Sequence, residues 1–256
     1  MFAVQDIIAL DIGNSHCKLS LNTQTILVLA NQNILANDFK LSLKQNYPRL
    51  LISISSVLNI NHTKQLIEKL NTKLSWQQIK FIFWHSSDIL KIALPTQYQQ
   101  LSHLGSDRAL RIYHLSQLEH DIPQIGVGCG TGFTIEIIQR GKLIESLILP
   151  GLKLQLNSLF QHTDKLPLIK PEAVEKILNS ESGKLSTTYA ICSGIIHSYI
   201  GLITQLSLQY QAKQIICSGA YAHLIQKFAH SNIQSKINVI THLELNVLRH
   251  LANYYE

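Results

Sequence analysis

Three short turns in this chain gather residues able to do chemistry on phosphates and alcohols. The first is Asp11-Ile12-Gly13-Asn14-Ser15-His16-Cys17-Lys18. Gly13 lets the backbone turn sharply and lets a phosphate come close. Asn14 and Ser15 offer short donors, and Lys18 places a point charge three residues past the Ser15 hydroxyl. Asp11, at the end of an apolar run, could hold a magnesium ion directly or through water. A plain β-turn that uses Asn and Gly for backbone reasons would read the same way. The second turn is Gly128-Cys129-Gly130-Thr131-Gly132, followed by Thr134. Its glycines could leave N–H groups free for an anion nest, with the Thr131 hydroxyl beside them. No Gly-Lys-[Ser/Thr] follows and the continuation is β-like, which excludes a Walker loop and a dinucleotide fingerprint. A bulge or tight hairpin is the structural alternative. The third is Leu104-Gly105-Ser106-Asp107-Arg108. Asp107 could take a proton from an alcohol and Arg108 could hold a carboxylate. A helix cap with a solvated Arg is the alternative there.

Elements that would position these turns are legible around them. Strands are expected over Asp6–Ile12, Cys17–Leu21, Thr25–Ala30, Leu50–Val57 and Ile79–Trp84, with helices over His62–Leu74 and Asp107–Leu118. The plan then repeats. Strands are expected over Ile125–Val127, Phe133–Ile138, Leu143–Leu149 and Gln214–Cys217, with a long helix over Thr187–Leu208 and a terminal one over His242–Tyr255. Two α/β domains follow, 1–120 and 121–256, with the terminal helix free to pack back on the first. A ligand is expected in the cleft between them, facing both Gly-rich turns.

Composition narrows the class. The 256 residues carry 22 Lys+Arg and 16 Asp+Glu, a net charge of +6, and are 46% hydrophobic against 15% charged. That balance excludes disorder. Lysines are spread out with no basic run, so neither the charge nor its pattern calls for nucleic acid. Cys17, Cys129, Cys192 and Cys217 have no CxxC spacing, which argues against a disulfide framework or a zinc site and for a reducing cytoplasm. Lys184 to Lys213 encloses no charge, yet Ser193, His197, Ser198, Gln205 and Ser207 interrupt it. A buried helix of a soluble core is expected there rather than a membrane span.

Taken together, the three turns resemble the motifs of the type III pantothenate kinases, in the acetate and sugar kinase/heat-shock-70/actin superfamily. Asp11, Gly13, Asn14, Ser15 and Lys18 match an opening Asp-x-Gly-Asn-Thr with a following Lys, Ser standing for Thr. Tyr98, Leu104, Gly105, Asp107 and Arg108 match a Tyr followed by Leu-Gly-x-Asp-Arg, and Gly130, Thr131 and Thr134 match Asp-x-Gly-Thr-Ala-x-Thr-x-Asp. Pro150-Gly151-Leu152, Thr163 to Pro167, Thr187 with Ala190, and Ser218-Gly219 continue the likeness in order along nearly the whole chain.

That resemblance implies two tandem ribonuclease H-like, actin-like ATPase domains. It implies transfer of the ATP γ-phosphoryl group to pantothenate, the first step of coenzyme A synthesis. It also implies magnesium as cofactor and a homodimer; the spread lysines and the interrupted apolar stretch lead to the expectation of neither nucleic acid nor membrane as partner. Asp107 would be the base. Asp11, Gly13, Asn14, Ser15, Lys18, Gly130 and Thr131 would bind ATP, with Asp11 organising magnesium. Tyr98, Gly105, Ser106, Arg108 and Thr187 would bind pantothenate. Three departures stand out. The acid expected to hold a monovalent cation, potassium or ammonium, is Gly128, so that site is expected to be lost. Glu145-Ser146 replaces a Gly-Gly pair, and Ala220 replaces a Gly. They keep open a catalytically impaired relative that binds the ligand as a regulator.

Overall fold

The computed structural model describes residues 7–20, 26–35, 50–74, 79–118, 121–180 and 183–255. The chain divides into two compact units, Met1–His114 with His242–Glu256, and Leu115–Thr241.

In the first unit the elements are β1 (Ile7–Ile12), β2 (His16–Ser20), β3 (Ile26–Ala30), α1 (Asn31–Leu35), β4 (Leu50–Ser56), α2 (Ile60–Leu74), β5 (Ile79–Phe83), α3 (Ser86–Ala93) and α4 (Ser106–Ser116); the C-terminal helix, α10 (Leu243–Ala252), belongs to it too. The sheet order is β3-β2-β1-β4-β5. β1 and β2 form an antiparallel hairpin with Ile12 opposite Cys17, while β4 and β5 add in parallel. β1 is buried along its whole length, as a central strand covered on both faces must be. Strand alternation then sorts its residues. Ile8, Leu10 and Ile12 join Leu66 and Leu70 of α2 in one core. Ala9 and Asp11 point to the other face, in register with Ser53 and Ser55 of β4. That face carries α10. The Ser53 hydroxyl donates to the Leu248 carbonyl at 2.8 Å, and Arg249 donates to the Ser20 hydroxyl at 3.0 Å.

The second unit contains β6 (Gln124–Cys129), β7 (Gly132–Gln139), β8 (Lys142–Pro150), α5 (Leu152–Gln161), α6 (Val174–Leu178), α7 (Thr187–Gln209), β9 (Gln214–Ser218), α8 (Ala222–Phe228), α9 (Ser231–Gln234) and β10 (Ile237–Val239). Its sheet repeats the first in connectivity, β8-β7-β6-β9-β10, with an antiparallel meander on one side of the central strand and parallel strands on the other. α7 is long and apolar enough to cross a membrane. Its Cys192, Ile195, Ile196, Tyr199 and Ile203 instead enter the core of this unit. The Tyr199 ring stacks on Phe133 with centroids 4.0 Å apart, and its hydroxyl donates to the Pro150 carbonyl at 2.7 Å.

The strands and the longer helices lie where the sequence places them. Asp6, Leu21 and Thr25, the ends of three expected strands, lie outside the described residues. The short elements α1, α3, α5, α6, α8, α9 and β10 have no counterpart in the sequence reading. One to three turns show too few repeats of a helical period to stand out from a loop. α3 illustrates this. It is fixed by tertiary burial of Ile89, Leu90 and Ala93 and by the Asp88 carboxylate accepting the His85 N–H at 3.3 Å.

Candidate active site

The register of the first sheet assembles a polar rung. Asp11 on β1 is opposite Lys18 on β2 and opposite Ser55 on β4, so three adjacent strands present their side chains together. A slip of one residue would send Lys18 to the other face, so the tight Gly13–Ser15 turn is what matches the pair. The turn is closed by Gly13 N–H to the His16 carbonyl at 2.9 Å. It is held from outside by the Asn31 amide, which donates to the carbonyls of Gly13 at 2.9 Å and Asn14 at 3.3 Å. Asn14 and Ser15 are left exposed at the tip.

Asp11 is 4% exposed. Its carboxylate accepts from the Ser55 hydroxyl at 3.1 Å and lies 3.7 Å from the Lys18 ammonium. Glu244, in the first turn of α10 and 5% exposed, approaches the same ammonium at 3.5 Å. Burial, followed by repulsion from Glu244, pushes the Asp11 carboxyl up to about 7; Asp107 adds to the rise, while Lys18 and Ser55 oppose it. Lys18 is held above the usual ammonium range by Glu244 and Asp11 against the opposing cost of its own burial. A buried carboxylate pair sharing one ammonium fits a divalent cation, whose charge would relieve both.

Asp107 and Arg108 open α4, both half-buried, after Gly105. A Cβ on Gly105 would lie 2.7 Å from Asp107 Oδ1. The absent side chain is therefore the space the Asp107 carboxylate occupies. Gly105→Ala should leave the fold intact, because a carboxylate end can swing aside, yet, with Asp107 as the base that the resemblance implies, lower kcat by up to about 10²-fold by misplacing it. Steady-state kinetics beside a melting curve would check this. The neighbouring Ser106 hydroxyl is buried with no partner among the described residues. Tyr98 lies in the turns after α3, half-buried, and its hydroxyl accepts from Gln99 at 3.4 Å.

In the second unit the Gly-rich turn is a hairpin end between β6 and β7. The Gly130 N–H is donated to the Gly132 carbonyl at 3.1 Å, so it is not available to a nest; Gly130 and Thr131 are exposed. Gly151 fixes the turn from below. Its N–H donates to the Thr131 carbonyl at 2.9 Å. A Cβ there would overlap the Gly130 carbonyl oxygen and lie 2.5 Å from that of Thr131. These are backbone atoms that cannot step aside. Gly151→Ala should cost about 1–3 kcal/mol and raise KM for the nucleotide, readable by thermal melting and ATP titration.

Internal repetition shows what the second unit lacks. Asp11 and Gly128 are each the fifth residue of a six-residue central strand. Where the first rung reads Lys18–Asp11–Ser55, the second reads Thr134–Gly128–Ser218, hydroxyls with no carboxylate. Glu136 is wholly buried on the same sheet face but in register with Gly126. Side-chain coordination of a monovalent cation at Gly128 does not fit these residues. Thr187 lies in this unit, exposed, at the start of α7.

Ser55, Asn31 and Glu244 were not among the residues the sequence singled out. For Glu244 a signal exists: it is the lone acidic residue between Glu181 and Glu256 and is flanked by Leu243 and Leu245. For Ser55 and Asn31 none does, since strand pairing alone brings them to the site.

Residues 7–209 match the family model described as type III pantothenate kinase. The chain is 27% identical over 254 residues to the type III pantothenate kinase of Psychrobacter cryohalolentis, covering 96% of this chain and 97% of that one. It is 31% identical over 144 residues to that of Sulfurihydrogenibium sp., covering 54% and 55%. Among solved structures, a Campylobacter jejuni protein described as a conserved Baf family transcriptional activator superposes with a TM-score of 0.60 at 16% identity, covering 97% and 98% of the two chains. That likeness carries the fold. The family match spans most of the chain, including all three turns, and the chain belongs to the type III pantothenate kinases.

Proposed function

We propose that this chain phosphorylates the primary hydroxyl of pantothenate with ATP, the first step of coenzyme A synthesis, and that Asp107 is its base. The observation that carries the reading is the first unit's acidic centre. A buried Asp11 with excess negative charge stands in one rung with a lysine, and Asp107 lies near enough to be felt at Asp11. Phosphoryl transfer is mostly positioning and charge neutralisation. Asn14, Ser15 and Lys18 would take phosphate oxygens at the first turn, and Thr131 would at the second. Asp11 would hold magnesium, directly or through water, and the ion would neutralise phosphate charge when bound. Asp107 would accept the hydroxyl proton. Arg108, Tyr98, Ser106 and Thr187 would hold pantothenate, with the buried Ser106 hydroxyl finding its missing partner there. Because the Gly128 rung has no carboxylate, turnover should proceed without potassium or ammonium.

A homodimer through α7 belongs to the same reading. The face of α7 away from the core presents Ala190, Gly194, His197, Gly201 and Leu208, and no charge. A cytoplasmic enzyme fits the free, buried cysteines.

The test is coupled ADP release with purified protein, ATP, magnesium and pantothenate, with and without potassium. Pantothenate-dependent turnover is expected in both salts. Strict potassium dependence would overturn the cation argument alone. Pantothenate binding by calorimetry without turnover would instead favour the ligand-binding regulator, the reading that Gly128 supports.

A further inference from the structure

Resting on the reading that Asp11 serves the nucleotide phosphates, we propose that Glu244 is a positioning residue of that centre. It holds the Lys18 ammonium off Asp11 and so leaves the Asp11 carboxylate open to a divalent cation.

The hairpin register places Lys18 directly opposite Asp11. With no third group present, an ammonium there closes on the carboxylate to about 2.8 Å, the length of a charge-assisted hydrogen bond. The observed separation is 3.7 Å, and the ammonium sits slightly nearer Glu244, at 3.5 Å. Lys18 thus bridges two acids and is closed on neither. Glu244 reaches it from a different element. α10 covers the sheet face that bears Asp11, anchored at Ser53 and Ser20, and its first turn directs Glu244 inward. His242, at the entry to that turn, adopts a left-handed backbone (φ 55°), a conformation that a non-glycine residue keeps where the surroundings impose it. A carboxylate buried to 5% exposure in an otherwise leucine-rich stripe carries a large desolvation cost that simple helix docking would not require.

The charged and titratable groups facing Lys18 are Asp11 on its partner strand and Glu244 and His242 at the start of α10; Asp107 in α4 acts on Asp11. Two carboxylates face one ammonium, and a third, Asp107, adds negative charge at Asp11. That imbalance suits an arriving divalent cation, provided the ammonium does not fill the Asp11 oxygens first. Glu244 draws the ammonium from Asp11 without itself being in the rung. Removing its charge leaves Lys18 with a single acid to pair with, and the lysine then competes with the metal.

The experiment is calorimetric titration of the full chain with ADP at a series of magnesium concentrations, comparing wild type with Glu244→Gln. The magnesium concentration giving half-maximal ADP affinity should rise about tenfold, the scale of coupling between charged neighbours. Glu244→Asp, shorter by one methylene but equally charged, should fall between the two. In a Lys18→Met background the same Glu244→Gln change should have less than about a twofold effect, because there is no ammonium to hold away. An unchanged magnesium dependence in Glu244→Gln, with only a lowered melting temperature, would reduce Glu244 to a structural tie and overturn the proposal. So would a full effect that persists without Lys18, or a wild-type response in Glu244→Asp. If wild type itself binds no ADP at any magnesium concentration, the nucleotide reading fails first, and the proposal with it.

Discussion

Asp107→Asn lowers kcat by about 10²–10⁴-fold, the contribution of a positioned general base, while the protein stays folded. The substitution keeps the shape of the side chain, so the space over Gly105 remains filled and α4 keeps its start. What it removes is the proton acceptor of the proposed mechanism. Its other physical role is favourable charge at a helix N-terminus, worth about 0.3–1 kcal/mol at an exposed site. That predicts a melting temperature lower by a few degrees at most. The two roles therefore separate: a base shows as a collapse of kcat with KM for ATP nearly unchanged, a cap as a small thermal shift with normal turnover. Turnover within about threefold of wild type would remove Asp107 from the chemistry.

Asp11→Asn is expected to act in opposite directions on activity and stability. Loss of an outer-sphere metal partner already costs about 10–100-fold in metal affinity, so losing the carboxylate proposed to hold magnesium should cost at least the upper end of that range. The ligand-free protein should nevertheless become more stable above neutrality. The Asp11 carboxyl is raised from 3.8 to about 7 by burial and by Glu244 and Asp107. The native state therefore binds the proton more tightly than the unfolded chain. That contribution is complete below 3.8 and is lost progressively as pH rises from there through about 7, above which the buried group is ionised in both states. Asparagine mimics the protonated form at every pH. At pH 8 the variant should melt higher than wild type, by on the order of 5 °C; the gap should narrow as pH falls below about 7 and close only below 3.8, the unfolded value. Lys18 keeps Glu244 as its partner in the variant, so no ammonium is stranded. A variant less stable than wild type at pH 8 would show that Asp11 supports the fold instead of straining it.

Both expectations rest on parts of the molecule that differ in how they were found. The three turns were legible because their chemistry is local. Gly13-Asn14-Ser15 must bend within a few residues, and Asp107 and Arg108 follow Gly105 within three residues. Such constraints are written in consecutive letters. The central strands were legible for a related reason, since Ile7–Ile12 and Gln124–Cys129 are mostly apolar, as burial on both faces demands. Even the repeat of plan could be read, because each unit opens with a strand and a Gly-rich turn.

What chain order could not show was which residues share a rung. Ser55 lies 44 positions from Asp11, and Glu244 lies 226 from Lys18; each meets its partner only through strand pairing or helix docking. The sequence reading treated the Gly128 departure as a missing ligand. The second sheet shows it as a whole rung without carboxylates, Thr134–Gly128–Ser218 in place of Lys18–Asp11–Ser55. Glu136, two residues beyond Thr134 on the same face, is placed by register beside Gly126, which no single-strand reading can decide. The sequence by itself determined the turns and the candidate groups on them, because turn chemistry depends on neighbours along the chain. Only the tertiary structure decided how those groups are charged and held, because burial, register and the arrival of α10 join residues that the chain keeps far apart.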